Sequence, residues 1–192
     1  MKKLAIILFL LLIALSGCGQ DTSQEASQEV VVEENQADTG KPAGEDNRKY
    51  TLEQYLQINV GDSYEDVCGL LGNEGEAMVN NERLKQYEWK NEDETYISVT
   101  FYDSTVTAKT QYGLGPFLTG SKMVTKAKYE RLKEGLSLKE VTDILGPGTE
   151  TLMTTGEGQE KRIYLWQNED GGTINVTFEG NKVTKISEMM LK

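Results

Sequence analysis

Apolar and polar residues alternate along Ile97-Ser98-Val99-Thr100-Phe101, and the same alternation returns at Ile174-Asn175-Val176-Thr177-Phe178. A period of two sends successive side chains to opposite faces, so each run predicts a strand with one buried face. A longer period precedes each run. Tyr64, Val67 and Leu71, and again Leu138, Val141 and Leu145, recur at helical spacing. Each set follows a Ser (Ser63, Ser137) with a carboxylate three residues on (Asp66, Glu140), the arrangement that satisfies free amides at a helix start. Gly72 and Gly146 stand where a left-handed C-terminal cap is expected. Each stretch reads as a short helix of two to three turns.

These patterns are two copies of one text. Val60–Gly72 returns 74 residues later as Glu134–Gly146, and Tyr55 matches Tyr129 at the same offset. After a three-residue change of offset, Tyr87-Glu88-Trp89-Lys90-Asn91-Glu92-Asp93 matches Tyr164-Leu165-Trp166-Gln167-Asn168-Glu169-Asp170. Agreement this ordered marks an internal repeat. Each copy predicts helix, helix, then strands, with first helices near 51–58 and 124–133. Hairpin turns are expected at Asn91–Glu94 and Asn168–Gly172, then at Asp103-Ser104 and Gly180-Asn181. The units are 51–112 and 124–192, joined by a linker over 113–123 whose Gly and Pro break any element and whose Phe117 and Leu118 are expected to fasten it down.

Residues ahead of the repeats have another character. Lys2 and Lys3 precede an apolar run from Leu4 to Leu15, too short to span a bilayer and shaped like an export signal over 1–17. Leu15-Ser16-Gly17-Cys18 is similar to the lipobox of bacterial lipoproteins, which implies acylation of Cys18 as the new N-terminus. The alternative is an ordinary cleaved signal with an incidental Cys. Residues 18–50 are expected to be the lipidated Cys followed by a disordered acidic tether, because Val30-Val31-Val32 is the only apolar cluster there. From 19 to 50, eight acidic residues face three basic ones. A flexible coil of that length reaches on the order of 30 Å. The expected location is the cell membrane, lipid-anchored on the extracytoplasmic side, with palmitate as the kind of acyl chain.

Charge and composition exclude more than they assign. The net charge of −11 becomes −13 once Lys2 and Lys3 leave, so a nucleic acid partner is not expected. The chain has no His and two Cys, which removes imidazole-based catalysis and the usual zinc sites. Cys68 has no His to activate it and lies beside Val67 and Leu71; it reads as an inert thiol rather than a nucleophile. The turn carboxylates Glu92, Asp93, Glu169 and Asp170 have no calcium-loop spacing. No cofactor, no metal and no catalytic residue are expected.

The Gly61–Val67 pattern, the Tyr-x-Trp and Val-Thr-Phe strands, the Lys109-Thr110-Gln111 run and the Lys128-Tyr129 helix together resemble the tandem-repeat β-lactamase inhibitory proteins. More distantly, each copy is similar to the small lipoproteins of outer-membrane assembly. The resemblance implies an α+β fold: two tandem helix-loop-helix plus four-stranded antiparallel units forming one curved sheet, helices on one face, the concave face gripping a partner. It also implies that an acidic residue of the first unit's central hairpin enters the partner's active site, with Asp93 or Glu94 the nearest equivalent. This chain departs from those inhibitors in lacking a disulfide within either unit.

Strand alternation gives an independent view of that face. With Ile97, Val99 and Phe101 toward the helices, Tyr96 and Tyr102 point away. The strand before is ambiguous; repetition in both copies favours Trp89 and Trp166 inward, leaving Ile163 and Leu165 outward beside Tyr96 and Tyr102. With Glu169 and Asp170 on the second hairpin, this makes an apolar patch rimmed by acids, the composition of a protein-binding surface. The other possibility is that the linker or the sheet's curvature covers it. The expected function is a non-catalytic, monomeric binding module for an envelope or secreted protein, inhibiting or sequestering a β-lactamase-like enzyme; the alternative is a scaffold component of an envelope assembly complex.

Overall fold

A computed structural model describes residues 47–192, Glu157 excepted. Among them, helices α1 (Leu52–Gln57) and α2 (Tyr64–Leu71) lead into strands β1 (Glu76–Asn80), β2 (Leu84–Lys90), β3 (Tyr96–Tyr102) and β4 (Thr105–Tyr112). A short 3-10 turn at Gly120–Lys122 follows, then α3 (Lys126–Tyr129), α4 (Leu138–Leu145), β5 (Thr149–Gly156), β6 (Gln159–Gln167), β7 (Thr173–Glu179) and β8 (Lys182–Met189). The eight strands form a single sheet in sequence order with antiparallel neighbours. The α+β class read from the sequence is the class adopted. The expected export signal, Cys18 and nearly all of the tether lie outside the described residues.

Helix starts are built as the sequence indicates. Ser63 Oγ accepts from the Asp66 amide at 3.1 Å and Asp66 returns a carboxylate to the Ser63 amide; Ser137 and Glu140 repeat the exchange. The helix ends differ. Gly72 is left-handed at φ 81° and ψ 4°, as expected, whereas Gly146 has φ 88° but an extended ψ of −176°. Pro147 follows Gly146, and a proline ring crowds the compact ψ values of the residue before it.

Two apolar clusters lie beneath the helices. Tyr55, Val67 and Leu71 pack with Trp89, Ile97, Val99 and Phe101 in one; Val141 and Leu145 pack with Trp166, Ile174, Val176 and Phe178 in the other. The aromatics of β2 and β6 therefore point inward, the choice that repetition of the text favoured. Gly75 and Gly148 lie against the two indoles so closely that a Cβ would come within 2.6 Å and 2.4 Å of ring atoms. The glycines of the interhelical loops have a different purpose. Gly61 (φ 91°) and Gly135 (φ 83°) let the loop turn onto the last strand of its half, where Gly61 N–H donates to Val106 O at 3.0 Å and Gly135 N–H to Val183 O at 2.9 Å.

The linker corrects one expectation. Leu118 packs against the second cluster and bridges to Asn168, but Phe117 is 60% exposed and fastens nothing. Leu114, buried in the first cluster, takes that part: Gly113 bends left-handed and Gln111 accepts the Leu114 amide at 3.0 Å.

Candidate binding face

The hairpin between β2 and β3 is held from behind. Asn91, buried, accepts the Tyr50 amide at 2.9 Å and donates to Tyr50 O and Thr95 Oγ1, both at 2.9 Å, so its side chain imitates a strand beside the residue that leads into α1. Asn168 does the same for Val124, at 2.8 Å in both directions. Both hairpins are thus tied at the root.

At the tips, the predicted acids divide by role. Asp93 folds back on its own turn: Thr95 N–H and Oγ1–H donate to Oδ1 at 3.1 Å and 2.6 Å, and these bonds hold the Asp93 carboxyl below its ordinary pKa. Asp170 is likewise engaged, accepting from Lys192 Nζ at 2.9 Å and from the Gly172 amide at 3.2 Å; Lys192 is the main cause of its lowered pKa. Both residues are exposed, with their carboxylates engaged by these neighbours. Glu94 stands at the tip in a left-handed conformation (φ 67°), paired to Lys90, and Glu92 and Glu169 are exposed. The two acids of the predicted pair are both exposed and each is held within the hairpin, Asp93 by Thr95 and Glu94 by Lys90.

Register places the remaining site residues. Tyr96, Ser98, Thr100 and Tyr102 alternate with the core residues of β3, so they lie on the face away from both clusters. Tyr96 sits directly opposite Tyr112, with ring centroids 5.6 Å apart and planes 21° from parallel. Tyr112 is 62% exposed, and Tyr96 is half-buried beneath that contact. The pair adjoins the Asn91–Thr95 hairpin. Sequence reasoning did not include Tyr112, because only the register shift between Thr100 and Phe101 brings it opposite Tyr96.

The predicted patch is not continuous. Tyr102 lies six residues along β3 from Tyr96, about 20 Å away, under the Arg83 guanidinium 4.6 Å from its ring. Ile163 and Leu165 do face away from the core, half-buried, but β4 and β5 stand between them and β3. Three strand spacings make about 14 Å. They are not beside Tyr96 and Tyr102; their neighbours on this face are Leu152 and Thr177 for Ile163, and Thr149 and Asn175 for Leu165. Between the two groups Ser98 lies opposite Thr110 and Thr100 opposite Ala108, and β4 in turn sets Thr110 beside Leu152 and Ala108 beside Thr154.

On the core face, β4 and β5 meet in a charged seam that the sequence reading did not find. Glu150 is 4% exposed and Lys109 5%. Glu150 Oε1 accepts from Tyr55 Oη at 3.3 Å and lies 3.5 Å from Lys109 Nζ; Oε2 accepts from Arg162 Nη1 at 2.8 Å and Tyr164 Oη at 3.4 Å. Lys109 also donates to Tyr55 O at 3.0 Å. Burial pushes the Lys109 ammonium down and, with the Glu150 charge adding to it, the Tyr55 phenol up. Arg162 in turn holds the Glu160 carboxyl low. Every charge here has a partner, as a low-dielectric site demands.

Cys68 lies half-buried against the first cluster, and burial, the largest influence, raises its thiol pKa, the reverse of activation. Among the described residues there is no group of three or more His, Cys, Asp or Glu side chains fit to hold a metal ion, and no helix is long and apolar enough to cross a membrane.

The candidate residues lie on one antiparallel sheet of the α+β class, whose polar and aromatic face stands away from both apolar clusters. The model of the beta-lactamase inhibitor (BLIP) family matches residues 51–160 and again 125–192, so the chain belongs to that family. Fourteen chains of solved structures match. One is the crystal structure of a candidate beta-lactamase inhibitor protein from Streptococcus mutans, 19% identical, with a TM-score of 0.58 over 73% of this chain and 95% of that one. At that identity the likeness is one of fold. No curated protein matches the chain.

Proposed function

We propose that this chain is a lipid-anchored, extracytoplasmic binding protein that blocks an envelope or secreted enzyme of the β-lactamase or peptidoglycan-transpeptidase type by contact. In this reading residues 1–17 are removed, Cys18 carries the acyl chains, and the segment to residue 50 spaces the domain from the membrane. Two tandem units, 51–112 and 124–192, share one curved sheet with helices on one face. The other face engages the partner, and the protein acts as a monomer.

The observation that carries this reading is the Tyr96–Tyr112 stack beside the Glu92–Glu94 hairpin tip, in a chain of the inhibitor family. Large, stiff aromatic rings supply contact area at little entropic cost and are enriched among residues that dominate interfaces. The linker favours access to that face, because its anchors Leu114 and Leu118 pack with the clusters on the helix side.

The test is inhibition. Nanomolar protein should slow at least one member of a panel of serine β-lactamases and peptidoglycan transpeptidases, and Glu94→Ala should weaken the effect. No inhibition across the panel, together with stable co-purification of membrane proteins from crosslinked cells, would favour the scaffold reading. Globomycin treatment of the producing cells should leave an uncleaved precursor; a normally processed protein would count against the anchor.

A further inference from the structure

Tyr55 belongs to the first apolar cluster and Tyr164 packs on the second, yet both phenols reach the same carboxylate, that of Glu150. No residue is common to the two clusters. The register joining β4 to β5 runs over Ala108–Thr110 and Leu152–Thr154, a short span beside the seven-residue pairing of β2 with β3. A sheet joined over so short a span can twist there unless something fixes it, since adjacent strands tolerate a range of twist angles.

We propose that Glu150 is the positioning residue that sets the angle between the two halves of the sheet, and so the spacing of the two hairpin tips that meet a partner. It acts through its neighbours and touches no partner itself. The spacing of the tips as a binding parameter rests on the function proposed above; the angular role of Glu150 does not.

The geometry supports this in a specific way. A carboxylate offers about four lone-pair sites, and here each oxygen faces two donors, one pair from the first half's side and one from the second's. Oε1 faces Tyr55 and Lys109; Oε2 faces Arg162 and Tyr164. Lys109 is further tied to the Tyr55 carbonyl, and Gln111 Nε2 donates to Glu150 O at 3.0 Å, so the side chain cannot swing away as a unit. Rotation at the seam would have to open one oxygen or the other. Glu150→Gln would turn an NH₂ group toward two donors and must release one half. Tyr55→Phe would keep the ring in its cluster and remove one donor to Oε1.

The angle can be measured with no partner present. Nitroxides placed through ketone-bearing amino acids at Glu92 and Glu169 of the full chain report the tip-to-tip distance by double electron–electron resonance. The native protein should give one narrow distribution. Glu150→Gln should broaden it at least about twofold, by populating more than one seam angle, and Tyr55→Phe should broaden it less. A control pair within the second half, at Glu169 and Lys185, should stay narrow in every variant. Unchanged tip-to-tip width in both variants overturns the proposal, and so does equal broadening of the control pair, which would mean general softening.

Where an inhibited enzyme has been found, Glu150→Gln should weaken its capture in proportion to the lost competent fraction, about tenfold if one molecule in ten keeps the native angle. If no enzyme is inhibited, the distance measurement still decides the angular role.

Discussion

Strands β1 and β5 hold matching places in the two halves, and they are put to opposite uses. Gly75 and Gly148 each press on an indole, and two residues later Ala77 lies opposite Tyr87 where Glu150 lies opposite Tyr164. All five residues of β1 are exposed at the edge of the sheet, while β5 pairs on both sides. One repeated strand becomes a border, the other a joint. The difference shows that a duplicated unit keeps its scaffold, meaning the caps, the indole contacts and the asparagine ties, and diverges where its environment changed from solvent to neighbour.

The largest effect that tests this contrast is expected at the joint. Glu150→Ala leaves Lys109 buried without its counter-charge and should lower stability by about 3–5 kcal/mol in urea unfolding, while Ala77→Glu at the matching border position should change it by less than about 0.5 kcal/mol. Equal costs would mean that the two strands are not used differently. Next come the shared ties: Asn91→Ala and Asn168→Ala each strip partners from a buried amide and carbonyl and should each cost roughly 2–3 kcal/mol. A large inequality between them would show that the two hairpins are not anchored alike.

The third contrast concerns contact alone. Replacing Tyr96 and Tyr112 together with Ala should weaken enzyme inhibition by about tenfold to a hundredfold, whereas Thr173→Ala with Met189→Ala, the pair at the matching place in the second half, should change it by less than about threefold. The smallest effect is expected in acid. Asp93, Asp170 and Glu160 have folded pKa values below their ordinary values of 3.8, 3.8 and 4.5. Their stabilisation is therefore present above the ordinary values and is lost as pH falls through the lower folded ones. Melting temperature should decline below about pH 4, less steeply in Asp93→Asn; a flat profile would show that these bonds do not stabilise the fold.

Much of the scaffold was legible in the sequence because it depends on local rules. The capping pairs Ser63–Asp66 and Ser137–Glu140 are three residues apart, the strand parity of Ile97 to Phe101 is a matter of alternation, and the duplication resolved the one parity that alternation left open. Left-handed backbone at Asp103-Ser104 and Gly180-Asn181 gives both predicted tight turns the conformation that matches strand twist.

What the sequence could not determine is how these elements meet. A two-residue turn at Asp103-Ser104 pairs Tyr102 with Thr105, and simple counting then sets Gln111 opposite Tyr96. A bulge between Phe101–Val106 and Thr100–Ala108 shifts the register by one, so Tyr112 takes that place and Gln111 turns inward to the seam. Comparable irregularities in β1–β2, β5–β6 and β7–β8 change side-chain facing wherever they fall. The charged seam is likewise a product of packing: Lys109, Glu150 and Arg162 are ordinary polar residues in the text, and they gather around one buried carboxylate, with Arg162 partly exposed, only because β4 and β5 close one sheet over two cores. Local composition determined which elements form and which of their sides is apolar; the tertiary structure decided register and adjacency, because a one-residue slip costs nothing in the sequence and reverses every side chain beyond it.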